Sequence, residues 1–245
     1  MTVTLTILNY RKRFIPFALL AMFFFRLPLW LNKKISFWKL LGSGKNGTFD
    51  KNPDWQQWGI LSVESSKLKV ESWEHADPEG NLLYKELYGA FIAKWIRFFN
   101  CEVWTVFLEP IEGHGTWDGK RVFGELPAKT PYEGQIAVLT RATIRLSRLK
   151  HFWSNVAPVA GKMAGAKGLQ ASFGIGEMPW IKQATFSIWQ DKEAMKQFAY
   201  EMKEHTEVIR KTRSEKWYSE DMFTRFKIIA TMGTIRGTNP LEGKS

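Results

Sequence analysis

Apolar and polar residues alternate along several segments of the chain and recur at helical spacing in others. In the first segment, Val3, Leu5 and Ile7 alternate with threonines, which predicts a strand with one face more apolar than the other. Read in the same way, the first half predicts strands at 2–10, 57–64 and 102–110, helices at about 14–31 and 83–99, and a glycine-rich turn at 42–47. The second half predicts strands at 136–146, 168–175, 181–189 and 226–235, and helices at about 149–164 and 192–214.

The two halves repeat one order of elements, βαββαβ, although the second strand of the first half is the least distinct. The segment 115–134, "GTWDGKRVFGELPAKTPYEG", is rich in glycine and proline and lacks periodicity, so it predicts a linker. A βαββαβ unit is ferredoxin-like, with both helices on one face of an antiparallel sheet. We therefore predict an α+β fold with units at 1–125 and 134–245, packed sheet to sheet as a dimeric α/β barrel within one chain.

The predicted helix 192–214 carries one histidine, His205, on its apolar side. Phe198, Met202 and Ile209 lie along the same side at helical spacing, so His205 is expected to face the core. A neutral imidazole in such a stripe needs a partner, which is either a hydrogen bond or a metal ion. The helix position alone leaves both open. The four histidines lie far apart, and no Cys/His cluster has zinc spacing.

Polar residues also occur within the predicted strands of the second half, and Arg141 and Gln183 stand out. Such groups need partners or a purpose when a strand is buried. They could line a hydrated rim or pair with acidic neighbours, or one of them could lie over a bound cofactor. The nearby "GIGEMP" (174–179) lacks the GxGxxG spacing and does not open a helix, which excludes a dinucleotide site.

Composition and charge narrow the class of protein. The chain has 44% hydrophobic residues, including 12 Trp and 18 Phe, which suits a thick aromatic core or a wide apolar pocket. Its single cysteine, Cys101, excludes an internal disulfide and agrees with a reducing, cytoplasmic location. The net charge of +11 would suit nucleic acid or an anionic membrane. No nucleic-acid motif accompanies the charge, so a single-stranded nucleic-acid binder is the weaker alternative.

The predicted helix 14–31 is strongly apolar and is bracketed by basic residues, Arg11, Lys12 and Arg13 before it and Lys33 and Lys34 after it. Its uninterrupted apolar run of 12 residues, from Phe14 to Phe25, is too short to cross a bilayer, which takes about 20 residues. Two interpretations follow. The helix is either buried against a sheet, or it also contacts the inner face of the membrane, with its lysines and arginines on the headgroups.

Six segments of the chain carry a family resemblance, namely "FWKLLGSG" (37–44), "WTVFLEP" (104–110), "WDGK" (117–120), "LTRAT" (139–143), "GIGEMPWIKQATFSIW" (174–189) and the segment 198–226 that contains His205. Together they resemble the spheroidene monooxygenase family of carotenoid-modifying enzymes. The resemblance runs in order from about residue 37 to 235. It implies a dimeric α/β barrel that contains haem and introduces oxygen, as hydroxyl or keto groups, onto an acyclic carotenoid such as spheroidene or a related isoprenoid.

The resemblance also implies roles for individual residues. His205 would be the iron ligand, with Met202, Ile209 and Phe198 around the haem, and Arg141 or Gln183 would be the catalytic polar group near bound oxygen. The partners would be a long apolar substrate, molecular oxygen and an electron donor. A non-catalytic haem or carotenoid binder stays open as the alternative, as do the substrate itself and the oligomeric state.

Overall fold

A computed structural model describes residues 1–45, 47, 52–65, 81–163, 165–201, 212 and 215–242. The first half contains β1 (Thr2–Asn9), α1 (Ile15–Phe24), α2 (Arg26–Leu31), β2 (Ile35–Gly44), β3 (Pro53–Glu64), α3 (Asn81–Tyr88), α4 (Ala90–Phe98) and β4 (Glu102–Gly115). The second half contains β5 (Ile136–Ile144), α5 (Leu149–Met163), β6 (Leu169–Met178), β7 (Lys182–Trp189), α6 (Lys192–Glu201) and β8 (Tyr218–Gly233). Both halves therefore have the predicted order βαββαβ.

The eight strands form a closed barrel in the order β1-β3-β2-β6-β7-β5-β8-β4. Within the first half the order is β4-β1-β3-β2, and the second half repeats it as β8-β5-β7-β6. This is the strand order of a ferredoxin-like unit, in which the first and third strands are central. The pairs β1–β3 and β5–β7 are both antiparallel. The predicted fold, two ferredoxin-like units forming a dimeric α/β barrel in one chain, is confirmed.

Four predicted elements differ from those observed. The predicted helix 14–31 is two helices, α1 and α2. The indistinct second strand of the first half is β2, and it includes the motif 37–44. The predicted helix 83–99 is two helices, because Gly89 adopts a left-handed φ of +90° between α3 and α4. The strand predicted from residue 226 begins at Tyr218. Met222, Thr224 and Phe226 are buried at every second position of this strand, a period-2 pattern that the surrounding charges obscure.

Contacts group the chain into two compact units. The first contains residues 1–41, 54–109 and 228–242, and the second is built mainly from 110–227 together with 42–53. The strands β2, β4 and β8 thus contribute residues to both units. The predicted division of the repeat at 1–125 and 134–245 stays a prediction.

Each unit packs its helices on its own strands. In the first unit, one apolar cluster joins α1 through α4 to β1, with Ala18, Ala21, Phe25 and Leu29 at 2% exposure or less. In the second unit, α5 packs through Phe152 and Trp153 against Ile144 of β5. The start of α6 packs through Met195 against Ile136 and Val138 at the other end of β5. The helices therefore cover one face of each sheet.

A short hairpin after the last strand of each half shows the duplication at the level of residues. "GTWDGK" (115–120) follows β4, and "GTIRGT" (233–238) follows β8. Each closes on an isolated bridge, Trp117 with Lys120 in the first case and Ile235 with Thr238 in the second.

A carboxylate at the start of a strand holds each of these hairpins. Glu220 accepts hydrogen bonds from the Thr116 hydroxyl and the Gly119 N–H. Glu102 accepts the corresponding bonds from the Thr234 hydroxyl and the Gly237 N–H. The same device therefore ends both halves, as expected of a duplicated unit.

Candidate functional site

The helix α6 begins the stripe on which His205 is predicted to lie. Met195 and Phe198 of this helix face the sheet, and the Phe198 ring lies 5.3 Å from the ring of Trp189 in β7. The side predicted to be inward is therefore inward over the first turns of the helix. Met202, His205 and Ile209 lie outside the residues that the structure describes, so their predicted roles stay predictions.

Opposite this helix, β5 has an opening in its apolar surface. Ile136 and Val138 belong to the cluster under α6, and Ile144 belongs to the cluster under α5. Side chains alternate along a strand, so Thr140 lies on the same helix-facing side, between the two clusters. Thr140 is nevertheless exposed, whereas its neighbours Leu139 and Arg141 are buried. An exposed residue in the middle of a central strand marks a gap in the cover of that face.

The residues around Thr140 form a small polar floor. Thr140 pairs directly with Thr185 of β7 and with Phe223 of β8, and directly paired side chains share a face. The Thr185 hydroxyl is buried and has no hydrogen-bond partner among the described residues. Gln183 lies on this face as well, because it pairs with Ala142, and its amide donates to the Met178 carbonyl at 3.1 Å. We name the surface formed by Thr140, Gln183, Thr185, Phe223 and Arg225 the Thr140 opening.

Arg225 brings a positive charge to the Thr140 opening. It pairs with Val138 across the ladder, which places it on the helix-facing side, and its guanidinium lies 4.9 Å from the centre of the Phe223 ring. Glu112 forms an ion pair with it, and Lys192 contacts the same carboxylate at 3.1 Å. Burial lowers the pKa of Arg225 from its ordinary value. Its Nε is buried without a partner among the described residues, so one donor stays available.

Arg141 and Gln183, both singled out from the sequence, lie on opposite faces. Arg141 pairs with Ala184 rather than Gln183, so its side chain points away from the helix-facing side. It is 1% exposed and forms ion pairs with Glu220, Glu177 and Asp118. Arg141 therefore pairs with acidic neighbours, and its predicted catalytic role stays a prediction.

Aromatic and carboxylate groups complete the surroundings of Arg141. Its guanidinium lies 5.3 Å from the Trp117 ring centre, and the Trp117 indole donates to Glu177 at 2.7 Å. Burial acts to raise the pKa of Glu220, but the Gly119 N–H, Arg141 and Thr116 hold that pKa below its ordinary value. Glu220 is therefore ionised at neutral pH. The motif "WDGK" (117–120) thus supplies partners to the guanidinium.

Four members of the Thr140 opening were not predicted from the sequence, namely Thr140, Thr185, Phe223 and Arg225. Threonine is common in strands, and Arg225 lies where the sequence predicted the boundary before a strand. Strand register identifies them, because it aligns three separate strands at Thr140. Among the described residues, no group of three or more His, Cys, Asp or Glu could hold a metal ion.

Comparisons with known proteins agree with this fold and identify the family. An aldoxime dehydratase in complex with butyraldoxime superposes with a TM-score of 0.61, at 9% identity, over 98% of this chain and 84% of that one. A second aldoxime dehydratase gives a TM-score of 0.59, at 8% identity, over 98% and 86% of the two chains. At such low identity these likenesses show the fold alone. The class is therefore a single-chain dimeric α/β barrel.

Sequence relatives are more informative. The spheroidene monooxygenase of Rhodobacter capsulatus is 31% identical over 231 residues, which cover 94% of this chain and 90% of the relative. That of Cereibacter sphaeroides is 33% identical over 211 residues, covering 85% of this chain but 60% of the length of the relative. No protein-family profile matches the chain. The chain belongs to the spheroidene monooxygenase family, a family of enzymes.

Proposed function

We propose that this chain is a haem-dependent monooxygenase that introduces oxygen onto an acyclic carotenoid, such as spheroidene, or onto a related isoprenoid. The observation that carries the proposal is the 31% identity to a spheroidene monooxygenase over 94% of the chain. The co-substrates in this proposal are molecular oxygen and an electron donor. The long apolar substrate fits a chain with 12 Trp and 18 Phe.

The Thr140 opening is compatible with a flat, largely apolar group that carries a few polar atoms. Apolar clusters lie on both sides of Thr140, and the Thr185 hydroxyl and Arg225 Nε, which lack a partner among the described residues, lie on the same face. A buried polar atom without a partner is costly, so a bound group that satisfies it is favoured. Haem bound here would supply the activation of molecular oxygen. The protein would hold the haem, exclude water and orient the substrate.

His205 is the iron ligand in this proposal. The stripe that begins with Met195 and Phe198 packs on the sheet, and helical spacing continues it through Met202, His205 and Ile209. A neutral imidazole in this stripe would hold the metal, with its second ring nitrogen hydrogen-bonded to a carbonyl or carboxylate. Cys101 is unsuited to the role, because burial raises the pKa of its thiol to about 12 and keeps it protonated.

Polar groups near the bound oxygen complete the proposal. Gln183 lies on the helix-facing side and remains the proposed catalytic amide. Arg225, on the same face, would orient an anionic group of the cofactor through its free Nε. The catalytic role predicted for Arg141 stays a prediction. Peripheral contact with the inner face of a membrane, through residues 14–31, is also part of the proposal, since a polyene substrate dissolves in lipid.

The decisive test replaces His205 and compares it with another histidine. His205→Ala should lose stoichiometric haem and its Soret band, because one side chain supplies the protein's bond to iron. His151→Ala is the matched control, since His151 is 61% exposed on α5, and it should retain haem like the parent. Absorption spectra after haem supplementation give the readout, and circular dichroism checks the fold. An unchanged Soret band in His205→Ala would refute the ligand assignment.

A second measurement separates an oxygenase from a non-catalytic binder. The haem-loaded protein is incubated with spheroidene, a reductant and oxygen, and the products are analysed by mass. A gain of one oxygen atom per product molecule, absent from the His205→Ala sample, supports the monooxygenase. Bound carotenoid recovered unchanged would support the binder instead.

A further inference from the structure

The helices α1 and α2 are apolar on both sides, although only one side is covered. Ala18, Ala21, Phe25 and Leu29 are buried in the core of the first unit. The opposite side is exposed at Phe17, Leu19, Leu20, Phe23, Phe24, Leu27, Trp30 and Leu31, with Phe23 at 72% and Trp30 at 73%. A helix that is apolar all round is normally buried on all sides. Its outer side therefore lacks a cover in the isolated chain.

The same apolar surface extends onto α4, which lies outside the segment that the sequence indicated. Phe91 and Phe98 of α4 are 47% and 78% exposed. Ring contacts connect these residues to α1 and its junction with α2. The ring centres of Phe91 and Phe25 lie 6.4 Å apart, and Phe25 lies between the two helices. The ring centres of Phe98 and Phe99 lie 4.9 Å apart, and Phe99 contacts Phe17 of α1. We name the exposed apolar side chains of α1, α2 and α4 the apolar platform. Large contiguous apolar surfaces of this kind mark interaction sites.

The second half of the chain shows that the fold does not require such a surface. The counterpart of α1 is α5, which also follows the first strand of its repeat and a short 3-10 turn. Its exposed residues include Lys150, His151 and Ser154. Over the first turns of α5, whose side chains the structure describes, the same structural position therefore accepts a polar surface. The apolar platform is a property of the first half, which points to a partner rather than to folding.

Charge around the apolar platform identifies the chemistry of that partner. The first 49 residues contain no Asp or Glu and eight Lys or Arg, so they carry eight of the eleven net positive charges of the chain. Arg11, Lys12 and Arg13 are exposed directly before α1, and Lys94 and Arg97 are exposed on α4. Aromatic residues with a basic rim fit an anionic bilayer, where rings enter the interface and cations meet headgroups. A second copy of the chain is disfavoured, because it would bring two basic rims together.

We propose that the apolar platform binds the surface of an anionic lipid bilayer, with α1, α2 and α4 lying in the plane of the interface. The segment Lys12–Leu31 is long and apolar enough to cross a membrane by length and composition. Its packed side, however, belongs to the core of the first unit, so an in-plane position keeps that core intact. This membrane contact rests on the proposed function, because its purpose would be to let the enzyme take its substrate directly from the lipid phase.

Flotation of the purified protein with lipid vesicles tests the apolar part of the proposal. Vesicles that contain phosphatidylglycerol should bind the parent protein, and Phe23→Ser and Phe98→Ser should each weaken binding about tenfold, as expected when one aromatic ring no longer enters lipid. Leu146→Ser is the matched control, because Leu146 is 71% exposed on the second half, and its binding should match the parent. Equal binding by Phe98→Ser and the parent would overturn the contribution of α4.

The charged part needs a separate comparison. Replacement of Arg11, Lys12 and Arg13 by glutamine should weaken binding to anionic vesicles at low salt and leave binding to neutral vesicles unchanged. Replacement of the exposed Lys129, Lys150 and Lys167 by glutamine removes the same charge elsewhere and should have little effect. Failure of the parent to bind any vesicle, together with a dimer that Phe98→Ser dissociates, would show that a second copy covers the platform. Vesicle binding needs no haem, and turnover is measured on detergent-dispersed carotenoid, so either proposal can fail without the other.

Discussion

Arg141 occupies a position at which the first half of the chain has an aliphatic residue. Arg141 pairs with Met222, two residues along β8 from Glu220. In the first half, Ile7 pairs with Trp104, two residues along β4 from Glu102. Because the duplicated fold accepts an isoleucine there, the buried guanidinium is a special feature of the second half. Buried charges are retained at a cost, which favours a functional role.

Arg141→Leu separates the structural and catalytic contributions of this residue when it is combined with a second change. The single variant leaves Glu220, Glu177 and Asp118 without their shared cation, so the free energy of unfolding should fall by about 3–5 kcal/mol. Adding Glu220→Gln removes one of these three carboxylate charges and should restore part of the stability. If Arg141 is catalytic, the double variant keeps its haem spectrum but forms no oxygenated product. Recovery of product formation with the fold would show that Arg141 acts structurally.

Glu64 is a buried carboxyl whose ionisation couples stability to pH. It is 2% exposed, and burial raises its pKa to about 7 even though Ser62 and Lys34 act to lower it. In the unfolded chain the carboxyl ionises near pH 4.5, whereas in the fold it stays protonated up to about pH 7. Folding therefore takes up a proton between these values, and the free energy of unfolding falls as the pH rises through this window.

Glu64→Gln should remove that dependence. The variant should be more stable than the parent by about 1–3 kcal/mol at about pH 8, and it should match the parent at about pH 4. Urea unfolding at both pH values gives the free energies, and Glu133→Gln, at an exposed position, is the control. A parent stability that does not change across this window would contradict the shifted ionisation.

At the level of elements, the hairpin after β4 depends on two glycines for different reasons. Gly115 and Gly119 both adopt a left-handed φ, +90° and +73°, which glycine adopts without strain. Gly115 also lies against β8, where an added Cβ would overlap the Asp221 carbonyl oxygen. Around Gly119 an added Cβ would meet nothing within 4 Å. A residue with a Cβ would therefore be strained at both positions, and at Gly115 it would also meet the backbone of β8.

The comparison gives a matched pair of variants. Gly119→Ala should reduce the free energy of unfolding by about 1 kcal/mol, the cost of a left-handed φ for alanine. Gly115→Ala should cost about 2–4 kcal/mol, because the β4–β8 contact must also move apart. Chemical denaturation of both variants measures the difference. Equal losses would mean that the strand contact at Gly115 adjusts freely.

At the scale of the whole molecule, the two halves share a fold and differ in what they present. The first half carries the apolar platform beside an N-terminal stretch without acidic residues, whereas the second carries the Thr140 opening and the buried Arg141. Duplication supplies the same scaffold twice, so each copy can specialise without a change of fold. By composition alone the net charge suited nucleic acid as well as lipid, but the stretch without acidic residues includes the apolar helices α1 and α2, and this favours lipid.

The order of elements, the ferredoxin-like repeat and the family resemblance could be predicted from the sequence, because they depend on local periodicity and on motifs that are read along the chain. The sequence also placed Phe198 on the inward side of α6, since helical spacing is local. It did not distinguish the two faces of β5. Alternation separates Thr140 from Arg141, but only the helices packed above the sheet decide which of them faces the candidate site.

Tertiary structure decided the remaining features, because each one depends on residues that are distant in sequence. Thr140, Thr185 and Phe223 come together through strand register, and Arg141 meets its carboxylates through three separate segments. The exposure of Phe23 and Phe98 is equally non-local. An apolar helix is predicted to be buried, and only the packing of the first unit shows that one side of α1 and the outer rings of α4 are exposed.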